Sequence, residues 1–241
     1  GTPFIFFRDT VNAANPNKHA GMIYASNLCH EIAQNVGFTN LAEEIINEDG
    51  TITTKTNTGD MVTCNLNSIS LGRITDEELE ENIALQIRML DNVISINQAP
   101  VPESRMTSDK YRAIGLGTSG YHHYLVNHDI QWESDEHIEV ADKLFENIAY
   151  YAIKASMELA KEKGAYPAFK GSEWETGEYF TRRGYTSDRW KQLAADVAKY
   201  GIRNGYLMAV APTGSTSNIA NTTAGIDPIF KKFFIEEKKG S

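Results

Sequence analysis

The run Met61-Val-Thr-Cys-Asn-Leu-Asn-Ser-Ile-Ser-Leu71 is followed, four residues later, by Thr75-Asp-Glu-Glu-Leu-Glu-Glu-Asn-Ile83. The first part is rich in apolar residues at short spacing and reads as a strand with Cys64 inside it. In the second, Thr75 and Glu78 stand three residues apart and form a capping box. Leu79, Ile83, Ile87, Leu90 and Ile94 then hold one face at helical spacing. A strand running into an amphipathic helix is the repeating unit of an α/β fold.

The same alternation extends in both directions. Upstream, Pro3–Phe7 is short, apolar and aromatic and reads as a buried strand. Polar residues from Arg8 to His19 follow, with a turn at Asn15-Pro16. Tyr24–Ile32 has no clean period and reads as a loop. Asn47–Asp60 is rich in Gly, Asn, Asp and Thr, with a hairpin expected at Glu48-Asp49-Gly50. Downstream, Pro100 and Pro102 end the first helix, and Tyr111–Leu116 reads as a strand before a glycine-punctuated turn and a helical piece through Val126. A long helix is predicted from Ser134 to about Lys163, with Ile138, Ala141, Leu144, Phe145, Ile148, Ala152, Ala155 and Leu159 inward and Gly164 as its C-cap. Gly171–Gly184 reads as loop, Ser187 caps a helix with Trp190, Leu193 and Val197 inward, and Tyr206–Ala211 reads as an apolar strand. No internal repeat, low-complexity run or linker divides the chain, so residues 1–241 are taken as one region.

The 241 residues carry a net charge of −9, with 41% hydrophobic and 23% charged residues. Such a surface disfavours nucleic acid or an anionic membrane as the main partner. No apolar run approaches the roughly 20 residues of a membrane span, and the N-terminal Gly1–Phe7 has no basic leader region. Two cysteines in this length do not make a disulfide scaffold, so a reducing, cytoplasmic setting is expected.

Four stretches invite a chemical reading. Cys29 lies in Asn27-Leu-Cys-His-Glu31, a thiol flanked at two residues' distance by an amide and a carboxylate. In an extended loop these three side chains project to one side, which places Glu31 as acid/base and Asn27 as orienter of a reactive thiol. Against this stands the usual fate of free cysteines as small buried hydrophobes, or a structural Cys29–Cys64 bridge. Pro212-Thr-Gly-Ser-Thr-Ser217 follows a strand and opens a helix, so its amides and hydroxyls either cradle a phosphate or form an ordinary N-cap. Gly115-Leu-Gly-Thr-Ser-Gly120, with Asp135 beyond it, matches a dinucleotide-binding fingerprint, but no second βα unit follows, which favours close strand–helix packing. His122, His123 and His128 lack a Cys or carboxylate partner at ligand spacing, so capping or exposed roles are expected and no metal site is assigned. Of Tyr150 and Tyr151, mid-helix neighbours, one ring is expected in the core and one at the surface.

Taken in order, Asn15–Ile32, Cys64–Leu71, Arg112–Gly117 and Ala211–Pro228 resemble the catalytic (large) subunit of class I ribonucleotide reductases, over most of the chain from Pro3 to about Phe230. Ser26-Asn-Leu-Cys29 and Pro212-Thr-Gly-Ser-Thr216 are the most specific elements. The resemblance implies half of a ten-stranded α/β barrel, with a finger loop at about 20–32 inserted into its centre and a polar insertion at about 35–60, as in some bacterial and phage relatives. It implies that Cys29 becomes a thiyl radical that abstracts the 3′-hydrogen of the substrate ribose, that Glu31 takes the 3′-hydroxyl proton and that Asn27 hydrogen-bonds the substrate. Cys64 is implied as one of two thiols that reduce C2′ and end as a disulfide. Ser26, Asn27, Pro212, Thr213, Gly214, Ser215 and Thr216 are implied to bind substrate, the last five through its phosphates.

The resemblance also implies partners. The radical comes from a metal-containing small subunit, electrons come from an external thioredoxin- or glutaredoxin-like dithiol, and no cofactor binds this chain directly. The mate of Cys64, the regulatory region, the re-reducing cysteines and the tyrosine relay fall in other parts of the family's large subunit. The chain is therefore expected to act on ribonucleotides, diphosphates foremost, only with the remaining part of the large subunit, in the cytoplasm (of a host, if phage-encoded). A non-catalytic half-barrel that works by pairing with another polypeptide is the alternative, and a stable monodisperse monomer in native mass spectrometry would count against it.

Overall fold

The computed structural model describes residues 3–233 and 235. Gly1 and Thr2, part of the N-terminal stretch considered for a leader, lie outside them. Arg8–Ala13 forms α1; Asn40–Ile46 and Ile52–Asn57 form β1 and β2; Leu66–Ser70 forms β3. Leu79–Ile96 and Pro102–Tyr111 form α2 and α3, Gly115–Ser119 forms β4, and Tyr121–Asn127 forms α4. Asp135–Lys163 is α5, Glu173–Thr176 α6, Glu178–Arg182 α7, Asp188–Tyr200 α8 and Gly214–Ile219 α9.

The two long helices follow their sequence signals. The capping box at Thr75 and Glu78 is formed, at the head of a short 3₁₀ turn that leads into α2. Leu79, Ile83, Ile87, Leu90 and Ile94 are all buried and pack towards α5, as the periodicity predicts. Ser134 caps α5, accepting the His137 N–H, and Gly164 ends it at φ +83°. Leu144, Ile148, Ala152 and Leu159 are buried, whereas Ile138 is 66% exposed. It sits in the first turn of α5, and that turn lacks the cover α2 gives further along. Trp190, Leu193 and Val197 bury one face of α8.

β3 and β4 pair in parallel, Leu66 opposite Gly115 through Ser70 opposite Ser119. The segment from Tyr206 adds a third parallel line on the far side of β4: Leu116 donates to Leu207 O and Ala209 donates to Leu116 O. Tyr206–Ala211 is thus bridge-paired on one side only and does not form the full strand expected. The strand expected at Tyr111–Leu116 lies later, at Gly115–Ser119, because Pro102 does not end a helical region but opens α3 at its first turn. α3 runs to Tyr111, and Arg112 then turns the chain at φ +45°. Cys64 lies two residues before β3, so the strand is shorter than Met61–Leu71. Gly117 explains the glycine motif: a Cβ there would stand 2.7 Å from Ala209 O, so only glycine lets the neighbouring segments close. Gly115 and Gly117 lie inside β4, so the close packing they allow is between neighbouring parallel segments and not the strand–helix turn expected. Among the described residues the parallel segments do not close into a barrel.

Other local expectations fail for identifiable reasons. Pro3–Phe7 forms no strand, and Phe4, Ile5 and Phe7 are 58%, 80% and 71% exposed, because no described strand lies beside it to accept its backbone hydrogen bonds. Gly171–Gly184 contains α6 and α7, nucleated by the Ser172 cap and anchored by buried Trp174, Tyr179 and Phe180. Tyr150 and Tyr151 are both half-buried, Tyr150 edge-on to Trp190. Among the described residues no helix is long and apolar enough to cross a membrane.

The hairpin expected at Glu48-Asp49-Gly50 is present. β1 and β2 pair from Asn40–Asn57 to Ile46–Ile52, and every residue of both strands is exposed. Its base is tied off by Gly37 donating to Asp60 O at 2.9 Å. Because the hairpin buries nothing, replacing residues 40–57 by two glycines is expected to change stability by under about 1 kcal/mol, or roughly 2–4 °C in Tm. A larger fall in a thermal melt would show that the hairpin is part of the fold.

Candidate active site

Both ends of the loop that carries Cys29 are fastened by a buried amide network. Asn15, Asn17 and Asn35 are at most 1% exposed. Asn15 donates to Asn35 Oδ1 (2.8 Å), and Asn35 donates to Asn17 O (2.9 Å) and Tyr111 Oη (3.1 Å). Tyr206 Oη accepts the Asn35 N–H and donates to Asn15 Oδ1, both at 3.2 Å. Tyr166 donates to Asn17 Oδ1 at 2.6 Å, and Asn17 donates to Gly205 O at 2.9 Å. Burial pushes the Tyr166 and Tyr206 hydroxyls up, which keeps both as neutral donors. Each member is satisfied, so the network fixes both ends of the Cys29 loop against Tyr111, Tyr166 and Tyr206. Asparagines in a polar run look like turn residues, and the sequence offers no sign that these three are interior.

At the tip, residues 27–31 are not extended. Asn27 O accepts the His30 N–H at 3.1 Å, and His30 has φ +69°, so Leu28-Cys29 forms a turn. The expected alternation of side chains is replaced by a tight bend that leaves Cys29 exposed and Asn27 and Glu31 half-buried. Asn27 Oδ1 accepts the Ile32 N–H at 3.1 Å, and Ser26 donates to Ile32 O at 2.7 Å, bracing the bend from inside. Glu31 Oε2 is buried with no hydrogen-bond partner among the described residues. It borders a cavity of about 210 Å³ shared with Gln34, Tyr206, Met208 and Ala209. A buried carboxylate oxygen without a donor is a ready proton acceptor for a hydroxyl placed beside it.

Cys64 comes to the same place. Asn27 Nδ2 donates to Cys64 Sγ at 3.4 Å. Partial desolvation of the sulfur, the nearby Glu31 carboxylate and Cys29 push the Cys64 thiol up, while the Asn27 hydrogen bond pulls the other way. Cys64 is therefore held as a thiol at neutral pH. Both cysteines are free and exposed, so neither is the small buried hydrophobe of the first alternative. The contact between Asn27 and Cys64 was not legible in sequence, where the two are 37 residues apart.

The Pro212–Thr216 loop leaves the third parallel line three residues after Ala209, itself a wall of the Glu31 cavity. Its hydroxyls divide into two sets. Thr213 and Ser217 are buried and turned inward: Thr213 Oγ1 accepts the Gly225 N–H at 2.6 Å, and Ser217 donates to Gly214 O at 3.2 Å. Thr216 donates to Thr213 O at 3.3 Å. Pro212, Gly214 and Ser215 face outward, and a Cβ added at Gly214 would meet nothing within 4 Å. The first-turn amides of α9 thus border open space. Among the described residues no hydrogen bond joins this loop to the Cys29 turn. The histidines take separate duties: His122 accepts from Ile229 N–H and stacks on Trp132, His123 bonds Thr222, and His128 bonds Tyr124 O.

Two parallel strands with a third bridge-paired segment, a braced turn that bears Cys29, a second cysteine beside it and an open strand-to-helix loop define a thiol-bearing α/β site. The chain belongs to the ribonucleotide reductase family: the family model for the ribonucleotide reductase barrel domain matches residues 1–241. It is similar to the ribonucleoside-diphosphate reductase subunit alpha of Treponema pallidum, 56% identical over 246 residues that cover 100% of this chain and 29% of that protein. The corresponding subunits of Helicobacter pylori J99 and of Synechocystis are 38% and 35% identical, each over 98% of this chain and over 36% and 29% of those proteins. The chain therefore spans about a third of the length of these relatives.

Proposed function

We propose that this chain is part of the catalytic core of a ribonucleoside-diphosphate reductase, with the three parallel segments forming part of a half-barrel around the finger. Cys29 carries the thiyl radical and takes the 3′-hydrogen of the ribose, Glu31 accepts the 3′-hydroxyl proton, and Asn27 holds the substrate hydroxyl. Cys64 supplies one of the two reducing thiols at C2′ and ends in a disulfide with a cysteine outside this chain. The observation that carries this reading is the 3.4 Å contact between Asn27 and Cys64, which joins the finger to the second thiol. The unpartnered Glu31 oxygen beside them supports the proton-acceptor role.

The radical is supplied by a metal-containing small subunit and the electrons by a thioredoxin- or glutaredoxin-like dithiol. The remaining part of the large subunit covers apolar residues such as Phe4, Phe7, Ile229 and Phe230, which stand exposed here. The Pro212–Thr216 loop takes the substrate phosphates on the α9 amides. Gly214→Val tests this, because the fold itself leaves space for the added side chain. In the complete reductase the variant is expected to keep its stability to within about 1 kcal/mol. Its KM for ribonucleoside diphosphate should rise by about tenfold or more, a loss of at least about 1.4 kcal/mol. An unchanged KM would remove the loop from the substrate site.

A further inference from the structure

The turn after α9, Asn221–Gly225, is strapped onto the start of α4 and then returns to the loop that precedes α9. Gly120, at φ +71°, donates to Thr223 O at 2.7 Å, and Tyr121 donates to Gly225 O at 3.4 Å. His123 N–H donates to Thr223 Oγ1 at 3.3 Å, and His123 Nδ1 lies 2.9 Å from Thr222 Oγ1. The Arg73 guanidinium donates to Asn221 O. From this anchored turn, Gly225 donates to Thr213 Oγ1 at 2.6 Å, and Thr222 N–H bonds back to Ser217 O at 3.0 Å. The fit is close: a Cβ on Gly120 would stand 2.4 Å from Thr222 Oγ1, and one on Gly72 2.4 Å from the His123 ring.

A six-residue helix has little stability of its own. Something other than α9 must fix the angle of its first turn, and the strap brackets that turn, through Thr213 before it and Ser217 just after it. We propose that Thr222 and His123 are positioning residues for the Pro212–Thr216 loop, acting through the Asn221–Gly225 strap to hold the α9 amides in line for a nucleotide phosphate. Neither residue touches substrate. The proposal rests on the reading of that loop as the phosphate site.

The test is Thr222→Val, which keeps the side-chain shape and deletes the hydroxyl, with Thr222→Ser as the rescuing variant. Hydrogen exchange on the full chain reports the strap without any nucleotide. Exchange at the amides of residues 214–220 should rise about fivefold, the factor one hydrogen bond carries, while exchange in α5 stays unchanged. In the complete reductase the KM for ribonucleoside diphosphate should rise by a similar factor with kcat nearly constant, and serine should restore both readouts. Unchanged exchange at 214–220 overturns the strap. Faster exchange with an unchanged KM overturns the positioning role. In that case Gly214→Val separates the causes: if it too leaves KM unchanged, the phosphate reading itself has failed, and if it raises KM, only the strap's part in binding has.

Discussion

Cys29→Ala in the complete reductase is expected to lower turnover by at least about four orders of magnitude, the scale seen when a residue that carries the reacting group is removed. Nucleotide affinity and stability should hardly move. The physical basis is the position of Cys29 at the exposed apex of a turn braced by Asn27, Ser26 and Ile32. The thiol itself makes no hydrogen bond that holds the bend, so its loss should cost under about 0.5 kcal/mol. Steady-state deoxynucleotide formation, with a melt on the same sample, separates chemistry from folding. Turnover within tenfold of the parent would remove Cys29 as the radical carrier. Serine at the same place is the stricter variant, since it keeps the size and polarity of the group and changes only the atom that bears the radical.

The second large effect is on stability. Asp91 is fully buried on α2 and gathers charges from three other places in the chain. Arg112 Nε reaches Asp91 Oδ1 at 2.7 Å, Arg203 Nε at 3.2 Å and Asn204 Nδ2 at 3.3 Å, while Lys163 Nζ lies 3.4 Å from Oδ2. Arg112 is 6% exposed, so Asp91→Ala strands a buried guanidinium beside a second one. The expected cost is about 3–5 kcal/mol, read from chemical denaturation. A loss under about 1 kcal/mol would mean that water or a rearrangement replaces the carboxylate.

The same group predicts an acid limb. Burial alone would raise the Asp91 carboxyl, but the Arg112 hydrogen bond and the charges of Arg112, Arg203 and Lys163 outweigh it and hold it below the ordinary aspartate range. Its folded pKa is thus lower than its unfolded value of about 3.9. The contribution is fully present above that unfolded value and is lost as pH falls through the folded one. Stability against urea should therefore be flat near neutrality and fall below about pH 4, and Asp91→Asn should flatten that acid limb. An acid limb equally steep in the variant would assign it to other carboxylates.

Much of the architecture was readable because it rests on period. The inward faces of α2 and α8 follow the 3.6-residue repeat residue for residue, and the caps at Ser134 and Gly164 fall where the side chain or the missing Cβ requires. The departures have separate physical causes. Pro3–Phe7 and Tyr206–Ala211 carry strand-like apolar residues, yet a strand exists only where a neighbour takes its backbone hydrogen bonds; Pro3–Phe7 has no such neighbour among the described residues, and Tyr206–Ala211 is paired only around Leu116. Pro102 looks like a stop in sequence but opens α3, because proline is as acceptable in a first helical turn as it is unacceptable inside one. Asn15, Asn17 and Asn35 show the converse: polar residues that look like loop are interior, since each finds its partners in a distant segment.

The sequence by itself determined the α/β class, the long helices and the identity of the thiols, amide, carboxylate and hydroxyl-rich loop, because side-chain chemistry and local periodicity are properties of neighbouring residues. Only the tertiary structure decided that Asn27 meets Cys64, that Glu31 keeps an oxygen free, and that Thr213 turns inward to a strap while Ser215 faces out. Those outcomes depend on which segments the buried amide network and the Asp91 cluster bring together. Such contacts are made between residues tens to almost two hundred positions apart, a distance over which local sequence carries no geometric information.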